Sequence, residues 1–244
     1  MDCVHGRPRW PHADARPARK GEKPRSMRTP GTSPSGRHAP WIILPVRGEA
    51  AGKSRLAAVL DPIERMRLNR KLLRRTLDAI EHWQGSLAHC IVVSPCARTA
   101  ASALARGAVV LSEPLPRRGL NRAAALGVKL AARRGALRVL ILPGDLALLR
   151  VASLNGMARA AGAGARAAIA PDRAGSGTNA LLIPAGARFR FAFGADSFAR
   201  HVAALRARGY AVTVRTDQGL CFDLDTPQDL AAVAGAGLWQ SFGT

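Results

Sequence analysis

Residues Trp41 to Leu56 read WIILPVRGEAAGKSRL. The apolar run Trp41-Ile42-Ile43-Leu44 is long enough for one buried strand. Pro45 ends the ladder because it has no N–H to donate. A loop bearing Gly48 and Gly52 follows, then the cations Lys53 and Arg55. Glycines let backbone N–H groups approach an anion, and the cations supply charge. Strand, glycine loop and lysine together point to a phosphate site at the end of the first strand of an α/β sheet. A P-loop requires four residues between its glycines, and here Glu49, Ala50 and Ala51 are only three. A P-loop kinase or ATPase is therefore disfavoured.

The rest of the chain alternates in the same manner. Asp61-Pro62-Ile63-Glu64 has a cap, a proline at the first helical position and a boxing acid, predicting a helix to about His82. Strands are expected at Ala88–Ser94, Ala108–Leu111, Leu137–Leu142, Arg166–Pro171, Asn179–Pro184, Tyr210–Arg215 and Leu220–Leu224. Helices are expected at Cys96–Arg106, Gly119–Arg134, Val151–Ala161 and Ala195–Arg208, with a last one capped by Thr226-Pro227. Such alternation means βαβ units and a mostly parallel sheet. Ligands then bind outside the carboxyl ends of the strands.

The chain has 244 residues, 48% of them apolar, enough for one α/β domain of ordinary size. Residues 1–40 hold nine Lys/Arg against three acids and little apolar periodicity, so a disordered basic tail is expected there, ahead of a domain at 41–244. The net charge of +21 suits polyanions. It is spread along the chain, and six Phe with one Tyr give few stacking platforms. Small phosphorylated substrates are favoured over nucleic acid. Cys3, Cys90, Cys96 and Cys221 include no C-x-x-C pair, which argues against zinc or a redox dithiol; Cys90 and Cys221 are expected in the core. No run approaches a membrane span and no secretory h-region is present, so the cytoplasm is expected.

Three stretches offer chemistry. Asp145 follows the strand Leu137–Leu142, as a turn residue or a metal ligand. Asp223 and Asp225 alternate along an extended segment, so both carboxylates share one face and repel unless a cation lies between them. Mg²⁺ takes one or two carboxylates plus substrate phosphates. DRAGSGTN at 172–179 is a second glycine loop, either a hairpin turn or a set of short donors to an anion. Phe193–Ser197 opens a helix whose free N–H groups favour a phosphate or carboxylate. His201, one turn on, receives no role. Neither a G-x-S-x-G elbow nor an H-E-x-x-H pair occurs.

Six motifs stand in order: GKSRL (52–56), RGLNRA (118–123), LPGDL (142–146), GSGTNALL (175–182), FGADSFARH (193–201) and FDLDTPQDL (222–230). Together they resemble the 2-phospho-L-lactate guanylyltransferases of coenzyme F420 biosynthesis, a family with members using phosphoenolpyruvate or 3-phospho-D-glycerate. The resemblance covers about residues 41–234. It implies a three-layer, Rossmann-like nucleotide-diphospho-sugar transferase fold and transfer of GMP from GTP to a small phosphorylated acid, with Mg²⁺. It places Thr178, Gly194 and Ser197 on the acid, and Asp145, Asp223 and Asp225 on the metal. It puts Leu44, Val46, Gly52, Lys53, Arg55, Gly119 and Asn121 on the nucleotide side, with Asp145, Lys53 and Arg55 catalytic. It is compatible with a homodimer. The sequence departs from the family in Ala147 after Asp145-Leu146, in Gly-Ser-Gly-Thr for Gly-Thr-Gly-Thr, and in a short first loop. The competing readings are another nucleotidyltransferase, such as a molybdenum cofactor guanylyltransferase, and a non-enzymatic basic nucleic-acid-binding protein.

Overall fold

The computed structural model describes residues 39–47, 53–112 and 119–235. The expected tail and the glycines of the first loop, Gly48 and Gly52, lie outside the described residues. Strand β1 (Trp41–Pro45) leads through a 3-10 turn (Ser54–Leu56) to helix α1 (Pro62–Gln84). Then come β2 (Cys90–Ser94), α2 (Ala97–Ala105), β3 (Val109–Ser112), α3 (Leu120–Arg133), β4 (Arg138–Ile141) and α4 (Val151–Ala161). A hairpin of β5 (Arg166–Pro171) and β6 (Thr178–Pro184) precedes α5 (Ser197–Arg206), β7 (Ala211–Val214), α6 (Gln218–Cys221) and α7 (Pro227–Gly235).

The described strands form one sheet in the order β3-β2-β1-β4-β6-β5-β7. Four pairings are parallel, and β6 alone runs antiparallel, to both β4 and β5. The reversed β6 brings its first residue, Thr178, to the sheet edge where β1, β4 and β5 end. An all-parallel strand would have carried Thr178 to the opposite edge.

Alternation along β1 distributes its side chains between two layers. Ile42 and Leu44 join the core under α1 and α4, with Leu77, Ile80, Trp83, Leu154 and Met157. Trp41 and Ile43 join the core under α3 and α5, with Ala124, Ala131 and Leu205. Both faces of the sheet are covered, giving the three layers expected of βαβ units. The α1 start is built as predicted: Glu64 N donates to Asp61 Oδ1 and Asp61 N donates to Glu64 Oε2, both at 2.8 Å.

The expected strand at Leu220–Leu224 is not formed. Asp217 begins α6 instead, its carbonyl accepting from Leu220 N and Cys221 N at 3.0 and 3.1 Å. A short mixed run carries no period able to separate one helical turn from a strand. Cys90 is wholly buried, and burial pushes its thiol up to about 12. Cys221 is only half-buried, its Sγ facing the Arg215 carbonyl at 3.8 Å.

Candidate active site

A third, smaller core lies beneath the carboxyl ends of the strands. It joins Leu56, Leu68, Leu72, Ala147, Leu224 and Val233. Three of these stand within three residues of a chemically active side chain: Leu56 beside Lys53, Ala147 beside Asp145, and Leu224 between Asp223 and Asp225. Burying these apolar neighbours together draws the polar residues to one point. Ala147, which departs from the family pattern, is 1% exposed and fills its place in this core.

At that point the Lys53 ammonium donates to Asp145 Oδ2 at 2.6 Å and to Asp225 Oδ1 at 2.7 Å. The lysine side chain is 3% exposed, the two carboxylates 32% and 40%. Burial pushes the ammonium pKa down, but attraction to Asp145 and then Asp225 outweighs it, so the net shift is upward. Lys53 also holds a left-handed backbone conformation, φ 62° and ψ 37°, which a non-glycine residue adopts at a cost.

Asp223 shares this cleft. Burial first, then the charges of Asp225 and Asp145, raise its carboxyl above the usual range. Asp229 at the start of α7 anchors the neighbouring backbone. Its Oδ2 accepts from Asp225 N at 3.0 Å, and from Thr226 N and Thr226 Oγ1 at 2.8 Å. Its other oxygen meets Arg173 at 2.5 Å, and the Arg173 guanidinium lies 5.3 Å from the Phe222 ring centre. Arg173 belongs to the β5–β6 hairpin, so Asp229 joins the second glycine loop to the acidic segment.

The cleft encloses about 440 Å³. Arg47, Arg55 and Arg70 line it together with Lys53, Asp145, Asp223, Asp225, Thr178 and Asn179. A cleft lined by cations, paired acids and a hydroxyl suits phosphorylated ligands.

Most sequence-predicted residues gather here, though not all. Val46, Lys53, Arg55, Asp145, Thr178, Asp223 and Asp225 line the cleft. Leu44 does not, being wholly buried in the core beneath α1 and α4. Period two sends its side chain into the sheet layer rather than outward. Asn121, expected on the nucleotide side, gives both amide atoms to one backbone unit: its Oδ1 accepts from Phe193 N at 2.6 Å and its Nδ2 donates to Phe193 O at 3.2 Å. It therefore latches α3 to the loop before α5. Gly119 precedes α3 at φ 79°, a conformation that favours glycine. Gly194 sits at φ 123° in the loop before α5, and Ser197 opens that helix; neither contributes to the cleft lining. Ser197 is 1% exposed, and its Oγ has no hydrogen-bond partner. Sequence reasoning missed Arg47 and Arg70. Arg70 lies inside α1, where only its placement on the helix face toward the cleft could have marked it.

The described residues contain no group of three His, Cys, Asp or Glu able by itself to hold a metal ion. They also contain no helix long and apolar enough to cross a membrane.

The fold is of the nucleotide-diphospho-sugar transferase type. The fold is similar to a solved structure from Desulfovibrio desulfuricans G20 assigned to the nucleotide-diphospho-sugar transferases, with TM-score 0.63, 17% identity, and coverage of 79% of this chain and 84% of that one. The sequence model of the family described as "Guanylyl transferase CofC like" matches residues 41–237, and the chain belongs to that family. It is 39% identical over 197 residues to a phosphoenolpyruvate guanylyltransferase of Rubrobacter xylanophilus, covering 81% of this chain and 94% of the relative. It is 38% identical over 194 residues to a 3-phospho-D-glycerate guanylyltransferase of Phenylobacterium zucineum, covering 79% and 88%.

Proposed function

We propose that this guanylyltransferase moves GMP from GTP to the phosphate of a three-carbon phosphorylated acid, within coenzyme F420 biosynthesis. The class of acceptor is the one named for its relatives, phosphoenolpyruvate or 3-phospho-D-glycerate, together with 2-phospho-L-lactate. The reading rests chiefly on the grouping of Lys53, Asp145 and Asp225 in a cleft that Arg47, Arg55, Arg70 and Thr178 also line. A phosphate oxygen of the acid attacks the α-phosphorus of GTP. The bond from that phosphorus to the bridging oxygen breaks, and diphosphate leaves with the electron pair. The attacking phosphate is already ionised at neutral pH, so no side chain need act as general base. The barrier is repulsion between two anions, which positioning and positive charge lower.

The family implies Mg²⁺, and the donor set fits it. Asp145, Asp223 and Asp225 line one cleft, and beside their pairing with Lys53 the Asp145 and Asp225 side chains remain 32% and 40% exposed. Two carboxylates with the remaining positions left to water and phosphate are what Mg²⁺ commonly takes, whereas a closed cage of protein ligands is not needed. When bound there, Mg²⁺ would neutralise charge shared by the two phosphates. Lys53, Arg55, Arg47 and Arg70 would hold the triphosphate. Thr178 would hold the acid, as a hydroxyl donor at the start of β6. On this reading residues 41–244 are the catalytic domain, and the enzyme works in the cytoplasm.

The test is a competition assay. The protein is incubated with GTP, Mg²⁺ and equal amounts of the three acids, and the guanylylated product is identified by mass while diphosphate release is followed. One acid should be consumed first, with GTP and Mg²⁺ both required. Diphosphate release that does not depend on any of the acids would overturn the reading.

A further inference from the structure

The acceptor side of the cleft rests on a histidine for which neither the motif reading nor the chemistry above has a use. His201 lies on α5, one turn beyond Ser197, and is wholly buried. Its Nε2 accepts the Ala192 backbone N–H at 2.9 Å, and its Nδ1 stands 3.0 Å from Thr178 Oγ1. A neutral imidazole carries one N–H and one acceptor nitrogen. Since Nε2 accepts, the proton resides on Nδ1, and Nδ1–H donates to Thr178 Oγ1. An imidazolium would aim a second N–H at the Ala192 donor. The surroundings also oppose protonation: burial, then the charge of Arg200, lower the ring to about 4. Phe189 and Phe193 pack against it, with ring centres 5.4 and 4.8 Å away.

The consequence falls on Thr178. A hydroxyl has one hydrogen and two lone pairs. With the histidine proton on a lone pair, the Thr178 hydrogen is left to point into the cleft that Thr178 lines. Such a hydroxyl suits an anionic oxygen as its partner. The other ring nitrogen fixes Ala192, and Asn121 fixes Phe193 next to it. The chain then passes through Gly194 to Ser197, whose buried Oγ has no hydrogen-bond partner.

We propose that His201 is a positioning residue: by keeping its proton at Nδ1 it sets the Thr178 hydroxyl as a donor to the phosphorylated acid and pins the loop before α5. The inference rests on the proposed placing of the acid at Thr178. Two measurements test it, the first on the wild-type protein. Long-range proton–nitrogen NMR of ¹⁵N-histidine-labelled protein should show His201 as the Nδ1–H tautomer through neutral pH. The Nε2–H tautomer would overturn the proposal.

The second measurement compares His201→Asn with His201→Gln, using the acid preferred in the competition assay. Asparagine places an amide nitrogen near the Nδ1 position and keeps a donor for Thr178. Glutamine reaches the Nε2 position and serves only Ala192. H201Q should raise KM for the acid about tenfold while KM for GTP stays within about twofold, and H201N should recover to within about threefold of wild type. Equal losses in the two variants, or a matching rise in KM for GTP, would overturn the proposal. Thr178→Val separates the two levels of the reading. If T178V leaves KM for the acid unchanged, the placing of the acid fails; if T178V raises it and H201Q does not, only the role of His201 fails.

Discussion

The Lys53 ammonium lies 2.6 Å from the Asp145 carboxylate across 92 residues of sequence, and it reaches Asp225 as well. One buried cation thus balances two partly exposed acids at the centre of the cleft. Replacing Lys53 with methionine leaves the two carboxylates facing each other. We predict a loss of about 1–2 kcal/mol in urea unfolding, below the figure for a fully buried pair because both acids remain about a third exposed. We also predict a fall in kcat/KM of at least about 100-fold, given the usual worth of a charge aimed at a transferred phosphoryl group. The double variant K53M/D145N should recover the stability and none of the activity. Recovery of both would show that Lys53 has a structural role only.

Asp223 is held against its own preference, since burial and its acidic neighbours raise its carboxyl. The charged form therefore costs stability above the unfolded pKa, and that cost grows as pH rises to the folded value and is constant beyond it. Asp223→Asn should keep or slightly raise Tm at pH 7 while turnover of GTP falls by at least about 100-fold. A D223N protein that melts well below wild type would contradict this reading of the site.

Asp229 is predicted to matter through Asp225 rather than by touching a ligand. Its carboxylate takes three hydrogen bonds from Asp225 and Thr226 and pairs with Arg173. Burial acts to raise its carboxyl, but these partners outweigh burial and lower it. Its contribution is therefore present above the unfolded pKa and fades as pH falls through the lower folded value. Asp229→Ala should cost about 2–3 kcal/mol at pH 7 and progressively less as pH falls below the unfolded value, with kcat reduced along with stability. Paired denaturation curves above and below that value check the sign.

His201 gives a second pH signature of the same direction in a higher window. Its folded pKa of about 4 lies below the ordinary 6.5, so between these values the unfolded chain binds a proton that the fold excludes. Stability should be lost as pH falls through that window, by on the order of 3 kcal/mol at most. The Tm of wild type should fall more steeply there than that of H201N. Parallel profiles for the two proteins would remove His201 as the cause.

At Gly127 helix α3 packs tightly against Ile43 and Val93 of the sheet. A Cβ there would lie 2.4 Å from Ile43 Cγ2, a branched methyl with no room to withdraw. Gly127→Ala gains about 1 kcal/mol of helix propensity but overpacks the core by about 1–3 kcal/mol. A net loss of up to about 2 kcal/mol is predicted, with kcat unchanged because the contact is remote from the cleft. A rise in Tm would show that the helix can shift away.

Much of this architecture was legible in the residues themselves. WIIL at 41–44 and CIVV at 90–93 could only be buried strands, and Asp61-Pro62-Ile63-Glu64 carries its capping box in four letters. LPGDL and FDLDTPQDL marked the acids that the cleft contains. The readings that missed did so for physical reasons. The run Leu220–Leu224 is too short to display a period that separates a strand from the end of the helical turn Gln218–Cys221. The Asn121 amide and the Leu44 side chain face where their neighbours in space direct them, and a motif does not encode those neighbours.

The order of strands and helices, the capping of α1 and the identity of the acidic segments follow from the sequence by itself, because they depend on interactions between residues a few positions apart. The tertiary structure alone decided three things: that β6 runs antiparallel and delivers Thr178 to the ligand edge, that Leu56, Ala147 and Leu224 share one small core that gathers Lys53 with its two acids, and that His201 reaches Thr178. Each depends on packing between segments far apart in the chain, where burial of apolar neighbours sets the position of the polar groups.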